Sequence, residues 1–230
     1  MTDRRRLIVQ QIAERVDGIV APHPVRVGID GIDCSGKTTL ADELRAAVDV
    51  GHRPVVRASA DGFHRPRSFR YRRGAESPDG YYRDSFDHDA MRRWLLDPLG
   101  PAGNRLHRTA VFDHFTDRPV EAEAVPADPD TVLIVDGVFL HAPRLRGAWE
   151  LTVWVDVEFP TSLRRALARD VPRLGSIDEV RVRYLRRYHP GQRLYLAECK
   201  PQDRADLVMV NDDPDHPMLQ GAFGPGGPSG

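Results

Sequence analysis

Residues 31–38 read Gly31-Ile32-Asp33-Cys34-Ser35-Gly36-Lys37-Thr38, with a second threonine, Thr39, immediately after. Two glycines five positions apart followed by Lys-Thr let a backbone turn tightly enough for consecutive amide hydrogens to point inward, where they cradle phosphates. Before this stretch Val25, Val27 and Ile29 alternate as a short strand, and after it residues 37–48 carry helical spacing, so a helix N-terminus faces the same loop. An ordinary glycine turn is the other reading, and the strand-loop-helix setting disfavours it. Gly31, Asp33, Cys34, Ser35, Gly36, Lys37, Thr38 and Thr39 are therefore the expected nucleotide-phosphate cradle. Lys37 is expected to reach the β- and γ-phosphates and the Thr38 hydroxyl to hold magnesium. Lys37 and Lys200 are the only lysines among 33 basic residues, which makes a lysine at this position more telling.

Outward from the loop, strands and helices alternate. An amphipathic helix is expected over residues 7–20 with Ile8, Ile12, Val16 and Ile19 on one face. A second strand is expected at 54–58, an irregular Arg-, Tyr-, Gly- and Pro-rich stretch at 61–84, a helix at 89–96, and short strands or a hairpin around 113–119. The apolar run 131–135 predicts a buried parallel strand, followed by a strand at 151–157, a helix at 161–170, a helical stretch at 178–198 interrupted near Pro190 and Gly191, and a last strand at 207–210. This order predicts a three-layer α/β P-loop NTPase fold with a mostly parallel central sheet and a small hairpin or lid insertion, and the family resemblance described below implies a mobile lid over about 160–178. Residues 1–211 read as one domain, and the Gly- and Pro-rich segment 212–230 as a disordered tail.

Composition narrows the partners. The 230 residues carry 33 basic and 34 acidic side chains, so no global field favours a nucleic acid polymer or an anionic membrane. Two cysteines and the lack of any long apolar run fit a cytoplasmic protein. The arginines opening the first helix are either solvated surface or a homo-oligomer face. The histidines are scattered without ligand spacing, and no zinc site is expected.

Two carboxylates stand where strands should deliver them. Asp136 ends the 131–135 run, at the carboxyl edge of the sheet, and is expected near magnesium; an Asp-Gly turn is the bland alternative. Asp61 follows the second strand and is expected to face the transferred phosphate from the acceptor side, where it can take the proton of an attacking hydroxyl. Arg164, Arg165, Arg169 and Arg173 form a basic segment that by itself reads as a solvated helix face, and as a lid closing over phosphates only through the family resemblance described below.

The series 31–40, Asp61-Gly-Phe-His64, Phe86-Asp87-His88, Phe112-Asp113, Val135-Asp136-Gly-Val-Phe139 and Arg164-Arg-Ala-Leu-Ala-Arg169-Asp170 resembles the uridine kinase family, related to phosphoribulokinase and bacterial pantothenate kinase, over residues 24–211. The resemblance implies ATP and Mg2+ as cofactors, Asp61 as catalytic base beside Lys37 and Arg169, and a metal set of Thr38, Asp61 and Asp136. It implies an acceptor-side set of Asp61, His64, Asp87, Phe112 and Arg173, with Asp87 on ribose hydroxyls and Phe112 near the base. Two positions depart: Asp117 stands where a base-reading histidine is expected, and after Asp170 the lid reads Val-Pro-Arg-Leu-Gly, with fewer arginines. The implied reaction is phosphoryl transfer from ATP to a small-molecule hydroxyl, foremost the 5′-hydroxyl of uridine or cytidine. Pantothenate-like or sugar-like acceptors, a nucleotide-dependent switch and a thymidylate-kinase-like enzyme are the alternatives.

Overall fold

The computed structural model describes residues 1–50 and 53–221. Helix α1 (Asp3–Asp17) starts four residues earlier than its apolar period suggests, because the Thr2 side chain accepts from Arg5 N and caps it. Its opening arginines are not all surface: Arg5 is buried, 2.8 Å from Glu43 and 3.1 Å from the Asn211 side chain, and Arg4 donates to Pro217 O. Strand β1 (Val25–Gly31) and helix α2 (Lys37–Val50) flank the glycine loop, and β2 (Val55–Ser59) follows.

The stretch expected to be irregular carries a 3-10 turn (Ala60–Phe63), α3 (Arg67–Arg70) and α4 (Pro78–Asp84), the last capped by Ser77 with proline in its first turn. These pieces are too short to print a period. Helix α5 (His88–Met91), capped by Asp87, runs into a π-helical turn at Arg92–Leu96. Two small ribbons follow, β3 (Leu106–His107) with β6 (Val125–Pro126) and, inside them, β4 (Phe112–Asp113) with β5 (Arg118–Pro119).

The chain then returns to the sheet with β7 (Val132–Asp136) and β8 (Leu151–Asp156). A helical arm follows: α6 (Phe159–Arg169), α7 (Val171–Leu174), α8 (Ile177–Arg183), a π-helical turn (Tyr184–Tyr188), α9 (His189–Cys199) and α10 (Pro201–Arg204). Pro190 sits in the first turn of α9 and does not break it; the irregularity is the π turn just before. Strands β9 (Leu207–Val210) and β10 (Met218–Gly221) close the sheet. β10 lies within the segment expected to be disordered: it pairs antiparallel with β9, and Thr2 and Arg4 bond the chain ahead of it. The rest of that segment, 222–230, lies outside the described residues.

The main sheet runs β10-β9-β8-β1-β7-β2, parallel except for β10. Strand β7 alternates, Val132 and Ile134 packing with α1 and α2 while Leu133 and Val135 pack with Phe139, Leu95 and Tyr195 on the other face. Both faces are covered, giving three layers. The chain leaves β1 for β2, comes back through β7, then crosses to β8. The crevice beyond the carboxyl ends of β1, β7 and β8 is therefore the topological switch where ligands of such sheets bind.

Candidate active site

The glycine loop is held in a shape that requires its residues. Gly36 adopts φ 99°, and a Cβ there would meet the Asn211 amide at 2.7 Å. Cys34 is also left-handed at φ 57°. Arg165 is bonded beneath the loop, donating to Cys34 O and Ser35 O and also to Asn211 O and Asp212 O, while Asn211 Nδ2 donates to Ser35 O at 2.6 Å. Arg165 thus braces the loop instead of belonging to a closing lid. Burial pushes the Cys34 thiol up, overriding nearby Arg169 and the Tyr184 hydrogen bond, so the loop holds no reactive thiolate.

At the loop's end Lys37 Nζ donates to Ile32 O at 2.6 Å, and Thr38 Oγ1 donates to Asp136 Oδ2 at 2.5 Å. Asp136 is buried at the tip of β7, aligned with Ile29 of β1 and Ser59 of β2. Its Oδ1 is 2.8 Å from Arg57 Nη1, an ion pair by distance that lacks hydrogen-bond alignment, so Oδ1 remains a buried acceptor without a donor. A buried carboxylate whose Oδ1 accepts no hydrogen bond, beside a threonine hydroxyl, suits a hard divalent cation, which would share that oxygen with Arg57. Arg57, anchored by Asp42 at 3.0 Å, is a residue the sequence reading missed; an arginine in mid-strand on the helix-facing side was the signal.

A cavity of about 610 Å³ opens in front of these groups. Asp33, Cys34, Lys37, Thr38 and Asp136 line one side, and Asp61, His64, Arg173 and Arg169 also face it. Asp61 presents a 63% exposed carboxylate, its backbone oxygen meeting His64 Nδ1 at 3.0 Å. Burial drives His64 down to about 4 despite the Asp61 charge, and burial lowers His114 as well, so both stacked rings (4.5 Å) are neutral near pH 7. Asp33 accepts from Tyr81 OH at 2.9 Å, and burial raises its carboxyl against the pull of Lys37.

Asp87 and Phe112 are not among the cavity-lining residues. Asp87 caps α5, accepting from Ala90 N at 3.0 Å, and Phe112 is buried in the small ribbon. The aromatic rings facing the cavity include His64, Phe86, His114 and Phe115 instead. Asp117 is also committed: one oxygen accepts from Arg67 N at 2.8 Å and from Arg70 Nη2 at 3.1 Å, fastening the start of α3.

On the arm, buried Asp170 gathers Arg169 at 2.7 Å, Tyr184 OH at 2.7 Å and Arg173 at 3.3 Å. Burial alone would raise its carboxyl, but the bonds from Arg169 and Tyr184 win and hold it below the usual range. Among the described residues no three His, Cys, Asp or Glu side chains converge as a ligand set.

The model of the phosphoribulokinase / uridine kinase family matches residues 26–212. A uridine kinase of Brevibacillus brevis is 26% identical over 190 residues, covering 81% of this chain and 85% of that protein. One from Leuconostoc citreum is 27% identical over 197 residues, covering 81% and 87%. Among solved structures, a possible uridine kinase from Bacillus stearothermophilus superposes with a TM-score of 0.69 at 24% identity, covering 88% of this chain and 97% of that one, which speaks for the fold.

Proposed function

Because this chain belongs to the phosphoribulokinase / uridine kinase family, we propose that it is a P-loop kinase transferring the γ-phosphoryl group of ATP to a hydroxyl of a small metabolite. The observation that carries this reading is that one cavity joins Lys37, the Thr38–Asp136 pair, Asp61 and Arg169. Lys37 and the loop amides would hold the phosphates, and Arg169 would face charge building on the transferred group. Thr38 and Asp136 would hold Mg2+, which when bound neutralises phosphate charge. Asp61, open to the cavity on the acceptor side, would take the hydroxyl proton and aim the oxygen.

The relatives' names favour a ribonucleoside such as uridine or cytidine as acceptor. A second acceptor reading, pantothenate-like or sugar-like, is favoured by Asp117, which is tied to Arg67 and Arg70 and so unavailable to a base.

The test is release of ADP with magnesium over uridine, cytidine, other nucleosides, pantothenate and simple sugars. Acceptor-dependent turnover should fall by about 10²-fold or more in Asp61→Asn while ATP still binds. Turnover that no acceptor stimulates would move a nucleotide-dependent switch to the front.

A further inference from the structure

We propose that the acceptor carries an anionic group, a carboxylate or a phosphate monoester, and that Arg70 is the residue that reads it. The inference rests on the kinase reading above and narrows its acceptor.

Arg70 lies in α3, lines the cavity, and is only 8% exposed. Its Nη2 meets Asp117, yet its Nε is buried with no hydrogen-bond partner. A buried guanidinium N–H without an acceptor is costly, and the planar Nε/Nη edge of arginine matches the two oxygens of a carboxylate or phosphate. Here Asp117 takes Nη2 and fixes the guanidinium plane, so Nε is the donor left for one oxygen of such a group.

The treatment of neighbouring arginines points the same way. Arg72 and Arg73 share buried Asp84, and Arg83 is held by Asp79 and Glu198. Those three are neutralised by the protein. Arg67 and Arg183, which face the cavity, form no ion pair with any carboxylate among the described residues. At the cavity Arg70 is shared with Asp117, and Arg169 and Arg173 with Asp170, so the surplus positive charge there is that of Arg67 and Arg183. His64 and His114 add none, being neutral, and Arg70 is close enough to both to depress them further. His64 bonds the Asp61 backbone, so this places Arg70 on the acceptor side. A neutral nucleoside would offer the surplus charge nothing in return.

The experiment uses the full chain with MgATP and acceptors in matched pairs: a hydroxy acid against its amide, a sugar phosphate against the free sugar, and uridine and cytidine as neutral references. The expected result is a kcat/KM at least tenfold higher for the acid or the phosphate than for its neutral partner; which pair shows it distinguishes carboxylate from phosphate. Arg70→Met should raise KM for the anionic acceptor by 10- to 100-fold, with kcat and KM for ATP within threefold, and Arg70→Lys should recover part of the loss. Use of uridine or cytidine in preference to every anionic acceptor overturns the proposal and leaves the kinase reading intact. Equal use of acid and amide does the same, and needs only the parent protein should Arg70→Met not fold. An Arg70→Met that weakens charged and neutral acceptors alike overturns Arg70 as the reader. If no acceptor stimulates ADP release, both readings fall.

Discussion

Thr38 and Asp136, far apart in sequence, meet through a 2.5 Å hydrogen bond at the mouth of the sheet. Parallel register makes this possible: Asp136 sits level with Ile29, just before the glycine loop begins, and the first turn of α2 carries Thr38 back over it. Replacing Asp136 with Asn keeps the shape and removes the charge. The expected outcome is a fall in kcat of about 10²-fold or more, with the magnesium requirement shifted to higher concentration. Magnesium titration of ADP release checks it, and an unchanged magnesium profile would remove Asp136 from the metal role.

Much of this arrangement was legible in the chain because it is local or strictly alternating. The glycine loop, the strand before it and the apolar run ending in Asp136 each announce themselves over fewer than about ten residues, as short periodic elements do. The last parallel strand reads as Leu207–Val210 for the same reason. What was not legible depends on distant partners. Strand β10 is glycine- and proline-flanked and owes its order to β9 and to Thr2 and Arg4. Arg57 and Arg165 look like generic basic residues until the fold sets one against Asp136 and the other beneath the loop carbonyls. Phe112 and Asp87 are placed at the acceptor by the family resemblance alone, whereas the ribbon buries the Phe112 ring and the cap of α5 engages the Asp87 carboxylate.

Arg165 joins four backbone carbonyls of the glycine loop and of the turn after β9. Lysine at 165 keeps the charge but cannot span all four. Losing one or two charge-assisted bonds, each contributing about 1.5–3 kcal/mol, should loosen the phosphate cradle and raise KM for ATP roughly tenfold or more. KM for the acceptor should stay within about threefold. Equilibrium binding of ATP to Arg165→Lys decides the matter, and unaltered affinity would make Arg165 merely a surface bond.

His64, His88 and His189 are all pushed down to about 4, in each case chiefly by burial. Unfolding restores the ordinary value near 6.5, so between about 4 and 6.5 the unfolded chain binds more protons than the folded one. Stability contributed by these neutral rings is present above about 6.5 and is lost as pH falls toward 4. His189 isolates one share: Ser162 Oγ donates to Asp33 O, so the 3.1 Å contact with His189 Nε2 has the imidazole as donor. His189→Gln can keep that donation without titrating. The slope of unfolding free energy against pH in this window should drop by about 1.4 kcal/mol per pH unit, one proton's worth. Denaturant melts at several pH values measure it, and an unaltered slope would mean His189 is not held neutral.

Tyr184 ties the arm to the glycine loop through a single hydroxyl, which donates to buried Asp170 at 2.7 Å and lies 3.4 Å from both Cys34 Sγ and Arg169 Nη2. Tyr184→Phe leaves the ring, which is buried against Val180 and Ala166, and removes only this hub. Asp170 then has Arg169 and Arg173 alone, so a buried carboxylate loses one of its bonds at a cost of about 1–3 kcal/mol. For a chain of this size that lowers Tm by roughly 2–12 °C. Arg169 should also lose its fixed direction toward the cavity, so kcat should fall more than KM for ATP rises. A Tyr184→Phe protein with the parent's Tm would show that the hydroxyl bond contributes nothing net. One with lowered Tm and unchanged kcat would separate the arm's stability from any part of Arg169 in phosphoryl transfer.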